Sequence, residues 1–385
     1  MIESIMPSLS EAYRAHPVYL HHKNPDFHSL RELPDSYAWT HLDDNRTAAV
    51  DADGGGRGVP PVIDLDDPNA PTLIGHACRS WGVFQVVNHG VPSRLLQDIE
   101  STGKSLFSLP PHQKLKAARS PDGVSGYGLA RISSFFPKLM WSEGFTILGS
   151  PLDHFRQLWP LDYTKYCNVV VEYEEAMEKL AGKLTWLVLA SLGISNQDIQ
   201  WAGSKDEELK GACAALQFNS YPTCPDPDRA MGLAAHTDST ILTILYQNAI
   251  SGLQVFKEGT GWVTVPPIPG GLVINVGDLL HILSNGLYPS VLHRVLVNRT
   301  RQRLSAAYLH GPPASVKISP HPKVVGPNRP PLYRPVTWHE YLGTKAKHFN
   351  EALSFVRLCA PKNAVFGDGN DTDHGHKNNN SVQVG

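Results

Sequence analysis

Apolar positions along this chain follow two rhythms. Between about Leu73 and Ser195 they recur every three or four residues, the spacing that gives a helix one apolar face. The segment from Leu73 to Trp81 stops at Gly82, a suitable helix cap. VFQVVNH follows and reads as a strand, and Pro92 opens a helix carrying Leu95, Leu96, Ile99 and Leu106. The longest helix is predicted from about Cys167 to Leu192. Its apolar stripe is Val170, Tyr173, Met177, Leu180, Leu184, Leu187 and Val188, and Gly193 stops it.

From Ala214 to about Pro320 the rhythm shortens. ALQFNSYP, LTILYQ, GLQVF, WVTVPP, LVINVGD, VLHRVLV and RLSAAYLHG are rich in β-branched and aromatic residues, with Gly, Pro and Asn between them. Many short strands at even spacing predict a barrel or a double-sheet jelly roll. A last helix starts near Thr337, where Thr337 and Glu340 form a capping box. Trp338, Tyr341, Leu342, Phe349 and Leu353 make its apolar face. The expected fold is mainly β with flanking helices, a jelly-roll core behind an α-rich amino-terminal region. The predicted boundaries are a segment with a flexible linker over 1–59, the α-rich region over 60–205 and the jelly roll over 206–320. A carboxy-terminal helical region over 321–366 and a disordered, polar tail over 367–385 complete the chain.

Composition narrows the setting. The chain has 385 residues, 41% hydrophobic and 18% charged, with a net charge of −2. That balance is globular and gives no basic excess for nucleic acid or anionic lipid. The start lacks the apolar core of a secretory signal, and no run approaches the ~18 apolar residues of a membrane-spanning helix. Five cysteines, an odd count without zinc spacing, read as reduced thiols. A cytoplasmic monomer is expected.

The sharpest chemical signal is His236-Thr237-Asp238. On a strand, residues i and i+2 share a face, so an imidazole and a carboxylate would converge. His293 lies about fifty-five residues on, in VLHRV. Two histidines and one carboxylate on one face of an iron leave three positions open, the facial arrangement of non-haem Fe(II) oxygenases. A chance H-x-D triplet is the competing reading in a chain with 18 histidines. Arg303-Leu304-Ser305 follows ten residues after His293. Its guanidinium and hydroxyl share a face and suit a carboxylate, as of 2-oxoglutarate; alone, Arg303 would read as a surface cation. Tyr221, in Asn219-Ser220-Tyr221-Pro222, can address the same carboxylate or be a buried strand tyrosine. His89, His281 and His310 read as core or loop histidines, and His374 and His376 as part of the tail.

Together, H-T-D, the distant histidine, R-x-S and the upstream N-x-Y-P resemble the plant 2-oxoglutarate-dependent dioxygenases. The likeness runs from about Pro60 to Pro361 and includes PVIDL at 61–65 and HACRSWGVF at 76–84. It implies a double-stranded β-helix, cupin-like core. It also implies Fe(II) on His236, Asp238 and His293, and 2-oxoglutarate on Arg303, Ser305, Tyr221 and Asn219, with O₂ as second cosubstrate and ascorbate as supporting reductant. RELPDSYAW, GYGLARISSFFPKLMWSEGFTI, DRAMGLAAHTDSTILTILYQN and GDLLHILSNG are similar to stretches of the gibberellin 3-oxidases. That likeness implies β-face hydroxylation of a gibberellin at carbon 3. A gibberellin is a rigid apolar ring system with a carboxylate and needs an apolar pocket with few polar groups. The stretch Tyr127 to Trp141 has that makeup. Tyr127, Arg131, Phe135, Phe136 and Trp141 are its candidate contacts, with Arg131 for the carboxylate; a structural role for Arg131 and a core role for the aromatics is the alternative. Competing functions are gibberellin 2-oxidation, another plant hydroxylation such as that of flavonoids, and an inactive small-molecule binder on the same fold.

Overall fold

The computed structural model describes residue 9 and residues 13–18, 26–27, 29–40, 58–199, 201–202 and 213–358. Most of the proposed linker and the whole proposed tail, with His374 and His376, lie outside the described residues.

The helical rhythm yields helices packed on one side of a sheet. α1 (Ala70–Ser80) buries Ala70, Ile74, Ala77 and Cys78. The chain turns after it at Gly82, whose φ of +64° and close approach to the Pro289 carbonyl oxygen leave no room for a Cβ. α2 (Ser93–Phe107) buries Leu95, Leu96, Ile99 and Leu106. Two short helices follow, α3 (Pro111–Lys114) and α4 (Leu152–Leu158). α5 (Tyr163–Ser191) begins four residues before the apolar stripe predicts, because the polar turn before Cys167 is helical as well. Its predicted stripe is buried except Leu187, which is half-buried. Gly193, at φ +73°, stands just past its end.

Among the described residues, twelve strands form two sheets. The larger has the order β1 (Val62–Asp64), β2 (Val83–Val87), β10 (Leu272–Val276), β7 (Leu242–Gln247), β12 (Arg303–Gly311), β5 (Cys213–Tyr221), β4 (Glu143–Ile147), β3 (Gly126–Gly128). The smaller runs β6 (Met231–His236), β11 (His293–Leu296), β8 (Leu253–Lys257), β9 (Gly261–Thr264). The chain is mainly β with flanking helices, two sheets packed as a jelly roll. β1 to β4 come from the α-rich region, so both regions supply the larger sheet.

Alternation along the strands separates two cores. Ile244 and Tyr246 of β7 and Ile274 of β10 face the helices, while Leu245 and Val273 join Leu253, Val255, Val263 and Val295 between the sheets. LVINVGD is not one strand: β10 ends at Val276 and α6 (Asp278–Leu283) starts directly after Gly277. β13 (Lys317–Ile318) and β14 (Val336–Thr337) make a small separate sheet.

α7 (Trp338–His348) starts on the Thr337–Glu340 capping box, with both reciprocal hydrogen bonds formed. It stops at His348, because Phe349 takes a φ of +49°. Phe349 and Leu353 therefore lie beyond the helix whose apolar face they were expected to extend. Leu353 instead sits in α8 (Ala352–Val356).

Candidate metal centre and cosubstrate pocket

β6 and β11 lie side by side with His293 directly opposite His236. The imidazole ring centres are 4.2 Å apart. Asp238 sits just past the end of β6 rather than on it, yet its Oδ1 lies 3.8 Å from His236 Nε2 and 3.6 Å from His293 Nε2. One ligand atom from each residue falls within 4.8 Å of the others, and among the described residues no other His, Cys, Asp or Glu group does so. Both Nδ1 atoms face backbone carbonyls, Ala234 O at 2.8 Å and Val291 O at 3.4 Å. A carbonyl only accepts, so Nδ1–H donates and the Nε2 lone pairs point at Asp238. Burial, and then the neighbouring His293, push the His236 pKa well below its usual value and keep the ring neutral. Burial would raise the Asp238 carboxyl, but the neighbouring imidazoles, a hydrogen bond involving Thr243 and the Lys345 charge outweigh it and hold it below its usual value. Two imidazole nitrogens and one carboxylate fit a divalent iron.

Behind these three residues stands a second layer of hydrogen bonds. Asn275 Nδ2 donates to Asp238 Oδ2 at 3.3 Å. The Asp278 backbone N–H donates to the Asp238 carbonyl at 2.7 Å. The fully buried Asp278 carboxylate accepts from Thr237 at 3.1 Å, from Tyr341 at 2.8 Å and from Lys345. Thr237, between His236 and Asp238, is thereby tied to α6 and α7. The one sequence signal was Asn275 itself, a polar side chain in the apolar run LVINV.

The R-x-S and N-x-Y-P motifs meet across β12 and β5. Arg303 is opposite Tyr221 and Ser305 opposite Asn219. Arg303 is 1% exposed, and its guanidinium carbon lies 5.1 Å from the Tyr221 ring centre. Nη2 donates to Gln247 Oε1 at 2.8 Å, whereas Nε and Nη1 have no partner. Among the described residues no carboxylate pairs with this charge. A buried, unpaired guanidinium is costly unless an anion meets it, and a dicarboxylate fits. Gln247, opposite Ser305 on β7, also escaped the sequence reading, because a glutamine at a strand end carries no motif.

A cavity of about 270 Å³ joins these groups: His236, Asp238, His293, Asn219, Tyr221, Arg303 and Ser305 all line it. Of the candidate substrate contacts, Arg131 and Phe135 line it too. Tyr127, Phe136 and Trp141 do not. Tyr127 is buried and donates to Glu143 at 2.6 Å. Trp141 is fully buried against Phe27 and Tyr37, and Phe136 packs between Trp39 and Phe349. Their composition suited a pocket, but composition does not say which way a side chain points. His281 is held by Tyr288 and Tyr333, His89 contacts the Gly270 carbonyl, and His310 is buried; none lines the cavity.

Comparison with known proteins agrees with this geometry. Residues 212–312 match the 2OG-Fe(II) oxygenase superfamily, and residues 60–163 match the amino-terminal model of the non-haem dioxygenases in morphine synthesis. The chain is 69% identical to gibberellin 3-beta-dioxygenase 1 of Pisum sativum over 99% of its own length and 100% of that protein's. It is 63% identical to gibberellin 3-beta-dioxygenase 1 of Arabidopsis thaliana, over 91% and 99% respectively. A crystal structure of JOX2 in complex with 2OG, Fe and JA is 31% identical, covers 86% of this chain and 95% of that one, and superposes with a TM-score of 0.70. The chain belongs to the plant 2-oxoglutarate- and Fe(II)-dependent dioxygenases.

Proposed function

We propose that this dioxygenase hydroxylates a gibberellin at carbon 3 on the β face. The observation that carries the reading is one cavity holding both the His236–Asp238–His293 cluster and the unpaired guanidinium of Arg303. The 69% identity to a gibberellin 3-beta-dioxygenase across the whole chain supplies the substrate class.

His236, Asp238 and His293 hold the iron. Arg303 and Ser305 grip the far carboxylate of 2-oxoglutarate, with Tyr221 and Asn219 beside them on the neighbouring strand. When bound, iron supplies the redox chemistry that couples oxidative decarboxylation of 2-oxoglutarate, to succinate and CO₂, with insertion of the second oxygen atom of O₂ into a C–H bond. The chain's own contribution is placement and exclusion of water. Ile132, Phe135, Leu233, Leu342 and Phe349 line the cavity with apolar surface for a rigid ring system.

Incubation with 3-deoxygibberellins, Fe(II), 2-oxoglutarate and ascorbate, with product identification, tests the reading. A 3β-hydroxylated product is expected. Hydroxylation at carbon 2 would give the neighbouring oxidase reading instead, and no succinate release at all would leave a binding protein.

The same reading takes the protein as a cytoplasmic monomer. Among the described residues no helix is long and apolar enough to cross a membrane. The described cysteines Cys78, Cys167, Cys213 and Cys224 are free thiols, in keeping with a reducing compartment. A dimer in size-exclusion chromatography would reject the monomer.

A further inference from the structure

The cavity contains a second cationic cluster that iron and 2-oxoglutarate leave without a partner. Arg119 and Arg131 both line it. Each is placed by backbone. Arg119 follows the isolated bridge between Ala118 and Tyr127, and its N–H donates to the Tyr127 carbonyl at 2.8 Å. Its guanidinium lies against Gly128, where a Cβ would come within 3.0 Å of Nη2, and Nη2 donates to the Leu129 carbonyl. A Cβ at this position would press on the guanidinium and push it a few tenths of an ångström from β3. Arg131 opens the 3₁₀ turn Arg131–Phe135, and its Nη1 donates to the Pro121 carbonyl at 2.7 Å.

Among the described residues, two like charges thus face one cavity with no anion between them. Arg119 is 8% exposed. Nε and Nη2 of Arg131 are enclosed and have no partner among the described residues. Burial, followed by the Arg131 charge, pushes the Arg119 pKa down to about 9. The carboxylate that acts on Arg131, exposed Asp122, makes no hydrogen bond to it. Tyr13 lies under Arg131, its ring centre 4.6 Å from the guanidinium carbon. A desolvated pair of this kind is unfavourable unless a ligand brings the missing charge. Arg303 sits on β12 and the Arg119 guanidinium lies against β3, with β5 and β4 between those strands, so the cavity holds two separate cationic ends.

We propose that Arg119 and Arg131 together form a carboxylate subsite, with Tyr13 beneath it, that takes the acid group of the organic substrate and so orients its ring system in the cavity. This rests on the hydroxylase reading above and deepens it: the substrate class becomes a rigid apolar carboxylic acid bound as its anion.

The test is calorimetric binding to the full chain loaded with Fe(II) and 2-oxoglutarate under anaerobic conditions, so that no turnover occurs. The ligands are a 3-deoxygibberellin and its neutral methyl ester. The free acid is expected to bind roughly 100-fold tighter, the worth of one or two charge-assisted hydrogen bonds. Arg119→Met and Arg131→Met should each remove most of that preference and leave 2-oxoglutarate affinity unchanged, which also confirms that the variants fold. Equal binding of acid and ester by the unaltered protein overturns the subsite without any variant. A preference that survives both substitutions overturns it too. Aerobic product identification runs in parallel. Hydroxylation without acid preference sinks the subsite alone, acid preference without hydroxylation sinks the reaction alone, and binding of neither ligand sinks both.

Discussion

The two ends of the cavity are built in different ways. The iron and 2-oxoglutarate end is carried mainly by paired strands, in which His293 faces His236, Arg303 faces Tyr221 and Ser305 faces Asn219. A register shift of one residue there would turn every one of these side chains to the other face. The opposite end is carried by turns and helix termini. Arg131 and Phe135 sit on a 3₁₀ turn, Phe349 sits at a left-handed residue past α7, and Arg119 follows a lone bridge. Sheet hydrogen bonds fix the first end as a unit, whereas each residue of the second is held by its own few contacts. A chain can therefore alter the second end piecemeal and leave the first intact.

The largest effect should come from breaking the strand-built end. Asp238→Ala removes the carboxylate that both Nε2 atoms face. It should abolish iron retention and lower kcat/KM by several kcal/mol, roughly a thousandfold. Metal content after dialysis and succinate release measure both; a variant that kept its iron and its turnover would exclude Asp238 as a ligand.

Arg303→Met comes next. The substitution keeps the bulk and removes the buried charge, so KM for 2-oxoglutarate should rise by about 100-fold while iron content stays unchanged. The gibberellin KM should hold steady if the two ends are independent. A parallel rise in both constants would show that the ends act as one.

The same contrast explains what could be read from the sequence. H-x-D and R-x-S were legible because strand geometry converts a two-residue spacing into a shared direction. Arg303 and Ser305 both lie on β12 and both line the cavity. For Asp238 the convergence occurs although the strand has already ended, and the tie from Asp278 to its carbonyl holds the turn instead. The helices and the capping box were equally legible, since periodicity and local caps are sequence-local. The end of α7 was not, because nothing in the sequence marked the left-handed turn at Phe349. Tyr127 and Trp141 read like pocket residues, yet in the fold they pack away from the cavity, one against Glu143 and the other among aromatics. Gln247 and Asn275 come from separate strands, and only the sheet order brings them to Arg303 and Asp238.

Asn275 sharpens the comparison within the strand-built end. Its amide donates to Asp238 Oδ2, and its Oδ1 has no hydrogen-bond partner among the described residues. Asn275→Ala should weaken iron binding by about tenfold, at the lower edge of what hydrogen-bond partners of metal ligands contribute. Extra iron in the assay should restore most of the activity. A loss that iron cannot restore would place Asn275 in the reaction itself.

The smallest effect belongs to the loop-built end. Phe349 stacks on Phe135 with ring centres 4.8 Å apart and planes 16° from parallel, and both rings line the cavity. An aromatic pair of this kind contributes about 1 kcal/mol beyond its buried area, so Phe349→Ala should raise the gibberellin KM by roughly fivefold. Iron content and the 2-oxoglutarate KM should not move, because the ring contacts of Phe349 are with Phe135 and Phe136 of the loop-built end. Succinate released without matching hydroxylated product should increase, since a ring system held on one side only sits less often in reach of the iron. Steady-state kinetics with both substrates varied, together with the ratio of succinate to product, reads all three. If the 2-oxoglutarate KM rose as well, the stacked pair would be bracing the whole cavity, and the division between its two ends would not stand.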